Sequence, residues 1–245
     1  MGRITLRQIL CLTDGGSNQG DSPVTAAQYA RELGITVNVI GIVDRKHMTP
    51  QEEQEIAEIA KAGGGISQIV GVQQLTQTVQ MVTRQAMNQT ITNVVQQELK
   101  EILGEGSLAV LPPAQRGEVI ERVNDLGEMA NLQVLILIDT SASMKSKMSA
   151  IQHALRDFQL SLESRAGVSR WAVYTYPGKK EVITEQVAWC EDMNQLTHLA
   201  SKLEMSGLTP TGPAIQSAIK YFESGTSRLP TGEWDDEGRL NDHVI

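Results

Sequence analysis

A chain of 245 residues with 40% apolar and 20% charged side chains is long enough to bury a full core, as one large domain or two small ones. That composition excludes collagen, extended disorder and a small disulfide scaffold. Lys and Arg number 21 against 29 Asp and Glu, and the net charge of −8 argues against nucleic acid or an anionic membrane as partner.

The first 90 residues open with the apolar run Gln8-Ile9-Leu10-Cys11-Leu12, which reads as a strand, followed by a polar loop from Thr13 to Ser22. Pro23 opens a helix that Gly34 stops, and Thr36 to Val43 is extended, so a βαβ unit is expected. A second helix from Pro50 to Ala62 ends at Gly63-Gly64-Gly65, which reads as its C-terminal stop, and Ile66 to Val70 is a short strand. From Gln73 to Leu103 no Gly or Pro occurs, and Leu75, Val79, Val82, Ala86, Ile91, Val95, Leu99 and Ile102 recur at mostly helical steps. That spacing predicts one long amphipathic helix, or two with a kink. Leu111-Pro112-Pro113 breaks it, and Ala114 to Met129 resumes a helical pattern interrupted by Gly127.

At Val134-Leu135-Ile136-Leu137-Ile138 the pattern becomes a strand buried on both faces, as in a parallel sheet. A helix from about Lys147 to Leu162 follows, then strands at Arg170–Tyr176 and Glu181–Ala188, then helices near Asn194–Leu203 and Pro213–Phe222. The tail from Glu223 to Asp242 reads as loop, and His243-Val244-Ile245 as the first residues of a strand. Eight of nine aromatic residues lie at or beyond Phe158, so the two ends contribute differently to any shared core. Residues 91–130 carry 3 basic and 7 acidic side chains and are the most acidic segment for their size.

The aliphatic runs are strand-sized, and Met1-Gly2-Arg3 leads into no signal-peptide core, so a soluble protein is expected. Cys11 and Cys190, 179 positions apart, show neither a metal spacing nor a disulfide framework, which is consistent with reduced core thiols and a cytoplasmic compartment.

The sharpest local feature is Asp139-Thr140-Ser141-Ala142-Ser143, where a buried strand gives way to a loop before a helix. A carboxylate and two hydroxyls at alternate positions offer hard oxygen ligands, which suit Mg²⁺ or Mn²⁺ better than zinc or copper. Asp and Ser also cap helices, and an isolated match explains no more than that. The run resembles the Asp-x-Ser-x-Ser signature of the von Willebrand factor A domain, whose metal-ion-dependent adhesion site adds a Thr and a second Asp from two other loops. Gly207-Leu208-Thr209-Pro210-Thr211-Gly212 resembles the family's Gly-x-Thr-Pro-x-Gly loop, 70 residues after Asp139 if counted to Thr209. Thr209 is the expected third hydroxyl ligand, with Thr211 the fallback.

The family's remaining element, a strand ending in Thr-Asp-Gly, is found at the other end of the chain, in Leu12-Thr13-Asp14-Gly15. The resemblance continues through the helix and strand of Ala26 to Val43 and the helix before the triple glycine. It therefore implies a circularly permuted domain. Residues 1–90 would be its back half, 131–245 its front half, and 91–130 an acidic helical connector. The implied fold is α/β, a doubly wound, mostly parallel sheet with helices on both faces. Pairing of the two halves within one chain gives a monomer, and between chains a swapped dimer.

By the same resemblance, Ser141, Ser143 and Thr209 would approach a metal directly or through water, and Asp139 and Asp14 mainly through bridging waters. The open position would take a Glu or Asp of a partner protein. The implied function is a metal-dependent protein-binding module and not an enzyme; composition and the lack of a secretion signal suggest a bacterial, cytoplasmic member. In some relatives the last helix shifts on binding, which here would connect residues 73–87 to the acidic connector.

A phosphoesterase is the rival expectation, because a strand followed by Asp139-Thr140-Ser141 superficially resembles the haloacid-dehalogenase loop. That chemistry needs an acid/base Asp where Ser141 stands. Walker, Gly-x-Gly-x-x-Gly and Gly-x-Ser-x-Gly motifs are missing from the sequence, and the four histidines are scattered. A metal-free scaffold with a degenerate site is the third possibility.

Overall fold

The computed structural model describes residues 4–44, 48–103, 112–191 and 208–226. Six strands form one sheet. In chain order they are β1 (Thr5–Thr13), β2 (Ile35–Val43), β3 (Gly64–Gly71), β4 (Asn131–Asp139), β5 (Ser169–Tyr176) and β6 (Thr184–Cys190). The helices are α1 (Pro23–Glu32), α2 (Pro50–Ala62), α3 (Leu75–Leu103), α4 (Pro113–Met129), α5 (Met148–Glu163) and α6 (Thr211–Thr226). Across the sheet the order is β3-β2-β1-β4-β5-β6, and only the β5–β6 pair is antiparallel. This is the doubly wound α/β fold that the sequence implies.

The two aliphatic runs from opposite parts of the chain meet at the centre. β1 pairs with β4 in parallel, from Thr5 opposite Asn131 to Leu12 opposite Ile138. Alternate residues face opposite layers. Leu10, Leu12, Val134, Ile136 and Ile138 pack under α3 and α5. Ile9, Cys11, Leu135 and Leu137 pack under α1, α2 and α6. Neither strand has a water-facing side, which explains why both read as continuous apolar runs. Burial pushes the Cys11 thiol up to about 12, so it stays protonated within the core.

Helix boundaries follow local chemistry. Ser22 caps α1 through its side chain, and Thr49 with Glu52 forms a reciprocal capping box on α2. In α1, Ala26, Ala27 and Ala30 are buried small residues, and they let it approach Ala214 and Ala218 of α6 closely. Residues 75–103 are a single helix, introduced by a 3₁₀ turn at Val72–Gln74.

Several boundaries differ from the sequence expectation. The triple glycine does more than stop α2, because Gly64 and Gly65 already belong to β3. Gly64 sits at φ +66, and a Cβ on Gly65 would lie 2.2 Å from the Val37 carbonyl oxygen. β6 begins at Thr184 rather than Glu181. A 3₁₀ segment, Ala142–Lys147, precedes α5, which therefore starts at Met148. α6 continues to Thr226, beyond the expected end at Phe222. The expected helix at 194–203 and the tail from 227 lie outside the described residues.

At Val37–Val39 the β2–β3 register shifts, and the Asn38 side chain takes over the missing ladder contact. Its Oδ1 accepts from Ile66 N–H at 3.0 Å, and its Nδ2 donates to Gln8 Oε1 at 3.0 Å. Gln8 in turn donates to the Thr83 carbonyl of α3 at 3.3 Å. Both amide side chains are buried. Asn38→Leu orphans the Ile66 N–H and the Gln8 carbonyl, so it should lower unfolding stability by about 3 kcal/mol, read as a fall in the urea midpoint.

Candidate metal centre

From β1 the chain leaves toward α1 on one face, and from β4 it leaves toward α5 on the other. Adjacent parallel strands whose connections diverge in this way leave a crevice beyond their carboxyl ends, where open α/β sheets bind ligands. Asp14 and Asp139 stand at that edge of the sheet.

The two loops are hydrogen-bonded together. Thr13 Oγ1 donates to Asp139 Oδ2 at 2.9 Å, and the Ser141 N–H donates to Asp139 Oδ1 at 2.7 Å. Ser141 Oγ and Ser143 Oγ lie 3.2 Å apart, and Ser143 Oγ donates to Asp14 Oδ1 at 2.9 Å. A continuous chain of oxygens thus runs from Ser141 through Ser143 to Asp14. The other oxygen of Asp14, Oδ2, accepts from Lys147 Nζ at 2.5 Å, and this ammonium also donates to the Ser143 carbonyl at 3.1 Å.

Thr209 reaches the same place through its backbone. Its N–H donates to Asn18 Oδ1 at 2.7 Å, and its carbonyl accepts from Asn18 N–H at 3.1 Å and from Ser17 Oγ at 3.2 Å. The Ser17 N–H is held by Glu55 Oε1 of α2 at 2.8 Å. Thr211 starts α6, and its N–H donates to the Thr209 carbonyl at 3.0 Å. Both threonines are buried. Of the residues singled out from sequence, Asp14, Ser143 and Ser141 are linked by side-chain hydrogen bonds, and Asp139 joins them by accepting from the Ser141 N–H. Thr209 is held by its backbone to Ser17 and Asn18 of the neighbouring loop, and Thr211 to Thr209.

Asp139 is fully buried. Burial pushes its carboxyl up to about 6 despite the Ser141 and Thr13 hydrogen bonds, and the charge of Asp14 adds a smaller push the same way. The Tyr176 hydroxyl, also fully buried, has no hydrogen-bond partner among the described residues. Burial and the charge of Asp139 hold that phenol well above its ordinary range, while Thr13 and Thr211 pull weakly the other way without making a geometrically sound bond.

A hard divalent cation fits these donors. Asp139 is a buried carboxylate that no Lys or Arg among the described residues pairs with, and the nearby hydroxyls and Asp14 present only oxygen. Among the described residues no group of three or more His, Cys, Asp or Glu is placed to hold a metal. Any metal here would therefore depend on serine and threonine hydroxyls.

Sequence reasoning missed Lys147, Thr13, Asn18 and Tyr176. Thr13 and Asn18 stood inside the loop already singled out. Lys147 lies four residues after Ser143, one helical turn away, but a lysine at the start of a helix reads as solvated surface.

The sequence matches the von Willebrand factor type A domain model over residues 134–232. It is 48% identical over 238 residues to "Uncharacterized protein YabS" of Bacillus subtilis (strain 168), covering 97% of each chain. A crystal structure of an uncharacterized protein from Alicyclobacillus acidocaldarius subsp. acidocaldarius DSM 446 is 42% identical, with a TM-score of 0.83 over 91% of this chain and 96% of that one. The chain belongs to the von Willebrand factor type A domain proteins, in one family with YabS. No helix among the described residues is long and apolar enough to cross a membrane.

Proposed function

We propose that this protein is a metal-dependent protein-binding module. Mg²⁺ or Mn²⁺ is its cation, with Ser141, Ser143 and Thr209 as direct or water-mediated ligands and Asp139 and Asp14 acting mainly through water; Thr211 is the alternative to Thr209. The open position takes a Glu or Asp side chain of a partner protein, so the cation bridges two acidic molecules. The reading is non-enzymatic and cytoplasmic, with neither nucleic acid nor membrane as partner.

One observation carries it: a fully buried Asp139, which no Lys or Arg among the described residues pairs with, stands beside a chain of hydroxyls that ends on Asp14, from the far end of the sequence. A buried carboxylate without a cation is costly, and a dication at its edge removes that cost. We also read residues 1–90 and 131–245 as two halves of one permuted domain joined by residues 91–130. The register of β1 on β4 supports this reading, and we take the pairing to be within one chain. Gel filtration is then expected to show a monomer.

Calorimetric titration with Mg²⁺ and Mn²⁺ tests the site. Wild type should bind one cation, Asp139→Ala none, and Asp14→Ala at least about tenfold more weakly, since a lost carboxylate weakens a hard-cation site. Wild-type affinity in Asp14→Ala means the two ends of the chain do not build one site. The scaffold reading gains if wild type binds no cation. Capture of a partner that a chelator abolishes would tie the cation to binding.

A further inference from the structure

Among the described residues Lys147 is the cation paired with this cluster, and its geometry separates it from an ordinary surface lysine. Its side chain is only 8% exposed and that of Asp14 only 5%. The ammonium is fixed from two sides, by Asp14 Oδ2 and by the Ser143 carbonyl. It sits at the junction of the Ala142–Lys147 turn and α5, so the turn that carries Ser143 also carries the counter-charge of Asp14.

The two oxygens of Asp14 are thereby given different tasks. Oδ2 is committed to the ammonium, and Oδ1 faces Ser143. Resting on the metal reading above, we propose that Lys147 is a built-in counter-cation that sets the charge of the site. It restricts Asp14 to a single available oxygen and leaves the two carboxylates and one ammonium with one net negative charge. A bound dication then brings the cluster to one net positive charge, matched to a single carboxylate of the partner. Without Lys147, the two carboxylates alone would neutralise the dication and little attraction for an acidic ligand would remain. Lys147 thus lowers affinity for the metal and raises the affinity of the loaded site for a carboxylate.

These opposite signs are what a purely structural lysine would not produce. Lys147→Met keeps the buried stem and removes the charge, and Lys147→Arg keeps the charge. Mn²⁺ titrated into Lys147→Met by calorimetry should bind at least about tenfold more tightly than to wild type, because a fixed positive charge near the dication is gone. In Lys147→Arg the affinity should stay within about twofold of wild type, since the charge is unchanged. Acetate added to the Mn²⁺-loaded protein, followed by water-proton relaxation, should bind Lys147→Met more weakly than wild type. Urea midpoints of all three proteins establish that each is folded.

Equal or weaker Mn²⁺ binding by folded Lys147→Met, with wild type binding normally, overturns the role of Lys147 and leaves the metal site standing. Equal acetate affinity in wild type and Lys147→Met overturns the charge-matching. If neither wild type nor Lys147→Met binds Mn²⁺, the metal reading itself fails. Binding by Lys147→Met alone overturns it too, because an ammonium that excludes the cation cannot tune a loaded site.

Discussion

Asp139→Asn is expected to stabilise the metal-free protein while abolishing its cation binding. The ordinary carboxyl value near 3.8 is raised by burial to about 6 in the folded chain. Between those values the folded state holds a proton that the unfolded state has released, so stability falls as pH rises from about 4 to about 6 and stays lower above that. This is the reverse of the usual paired aspartate. At 1.36 kcal/mol per pH unit, the ionised, metal-free protein at pH 7.5 forgoes about 3 kcal/mol.

The amide in Asp139→Asn carries no charge. Its carbonyl still accepts from the Ser141 N–H, and the Thr13 hydroxyl can turn to accept from the new NH₂ group. For a chain of this length, the variant's Tm in chelator should exceed that of wild type by roughly 6–12 °C. Saturating Mg²⁺ should raise the wild-type Tm by mass action and leave Asp139→Asn unmoved. A variant less stable than wild type in chelator at pH 7.5 would show that Asp139 is already compensated in the folded chain, and the principal argument for a cation would be gone.

Why a buried carboxylate is legible at all in a single sequence follows from the strand before it. Val134 to Ile138 is aliphatic without alternation, so the strand is central, and whatever follows it opens at the carboxyl edge of a parallel sheet. The same reasoning places Thr13 and Asp14 after Ile9 to Leu12. Two such strands in one domain belong side by side, because each has two faces to bury. α1 and α2 were legible from the Pro that opens each and the Gly that stops it, and α3 from its helical spacing.

What pattern alone did not reveal depends on contacts between distant segments. Lys147 becomes a buried partner only because Asp14, 133 positions away, is folded onto it. Asn18 and Thr209 hold each other through backbone and amide atoms that carry no periodic signal. The triple glycine read as a helix stop because its packing against Val37 and Asn38 requires the β2–β3 pairing to be known. The first turn after Ser141 is 3₁₀ rather than α, and its 3₁₀ contacts include Met144 N–H donating to the Ser141 carbonyl at 3.0 Å. Nothing in the residue types distinguishes those two helical forms over six residues.

The first turn of α6 is joined to the N-terminal loop by a contact that leaves no room for a methyl group, and Gly212→Ala should therefore separate them. A Cβ there would lie 2.0 Å from the Asp21 carbonyl oxygen, 2.9 Å from its carbon and 3.0 Å from Pro23 N. All three are backbone atoms, so no flexible side chain can swing aside. They belong to the turn that opens α1, which is itself packed on α6 in the layer below the site. Relief requires α6 to slide away from α1, or the 13–22 loop to lift from Thr209 and break the Asn18 and Ser17 contacts. Overpacking of this kind costs about 3 kcal/mol.

The site should suffer more than the fold. Thr209 would move off the cluster while Asp139, Ser141 and Ser143, carried by β4 and the turn after it, stay in place. Mn²⁺ affinity is expected to fall at least about tenfold, as for loss of one ligand, with the urea midpoint lowered. Gly117→Ala is the matched control: it lies inside α4, nothing is within 4 Å of the added Cβ, and helix propensity alone should stabilise the chain by about 0.5–1 kcal/mol. If Gly212→Ala keeps wild-type Mn²⁺ affinity despite lost stability, Thr209 contributes nothing to the centre and the cation is held by the Asp14 and Asp139 loops alone.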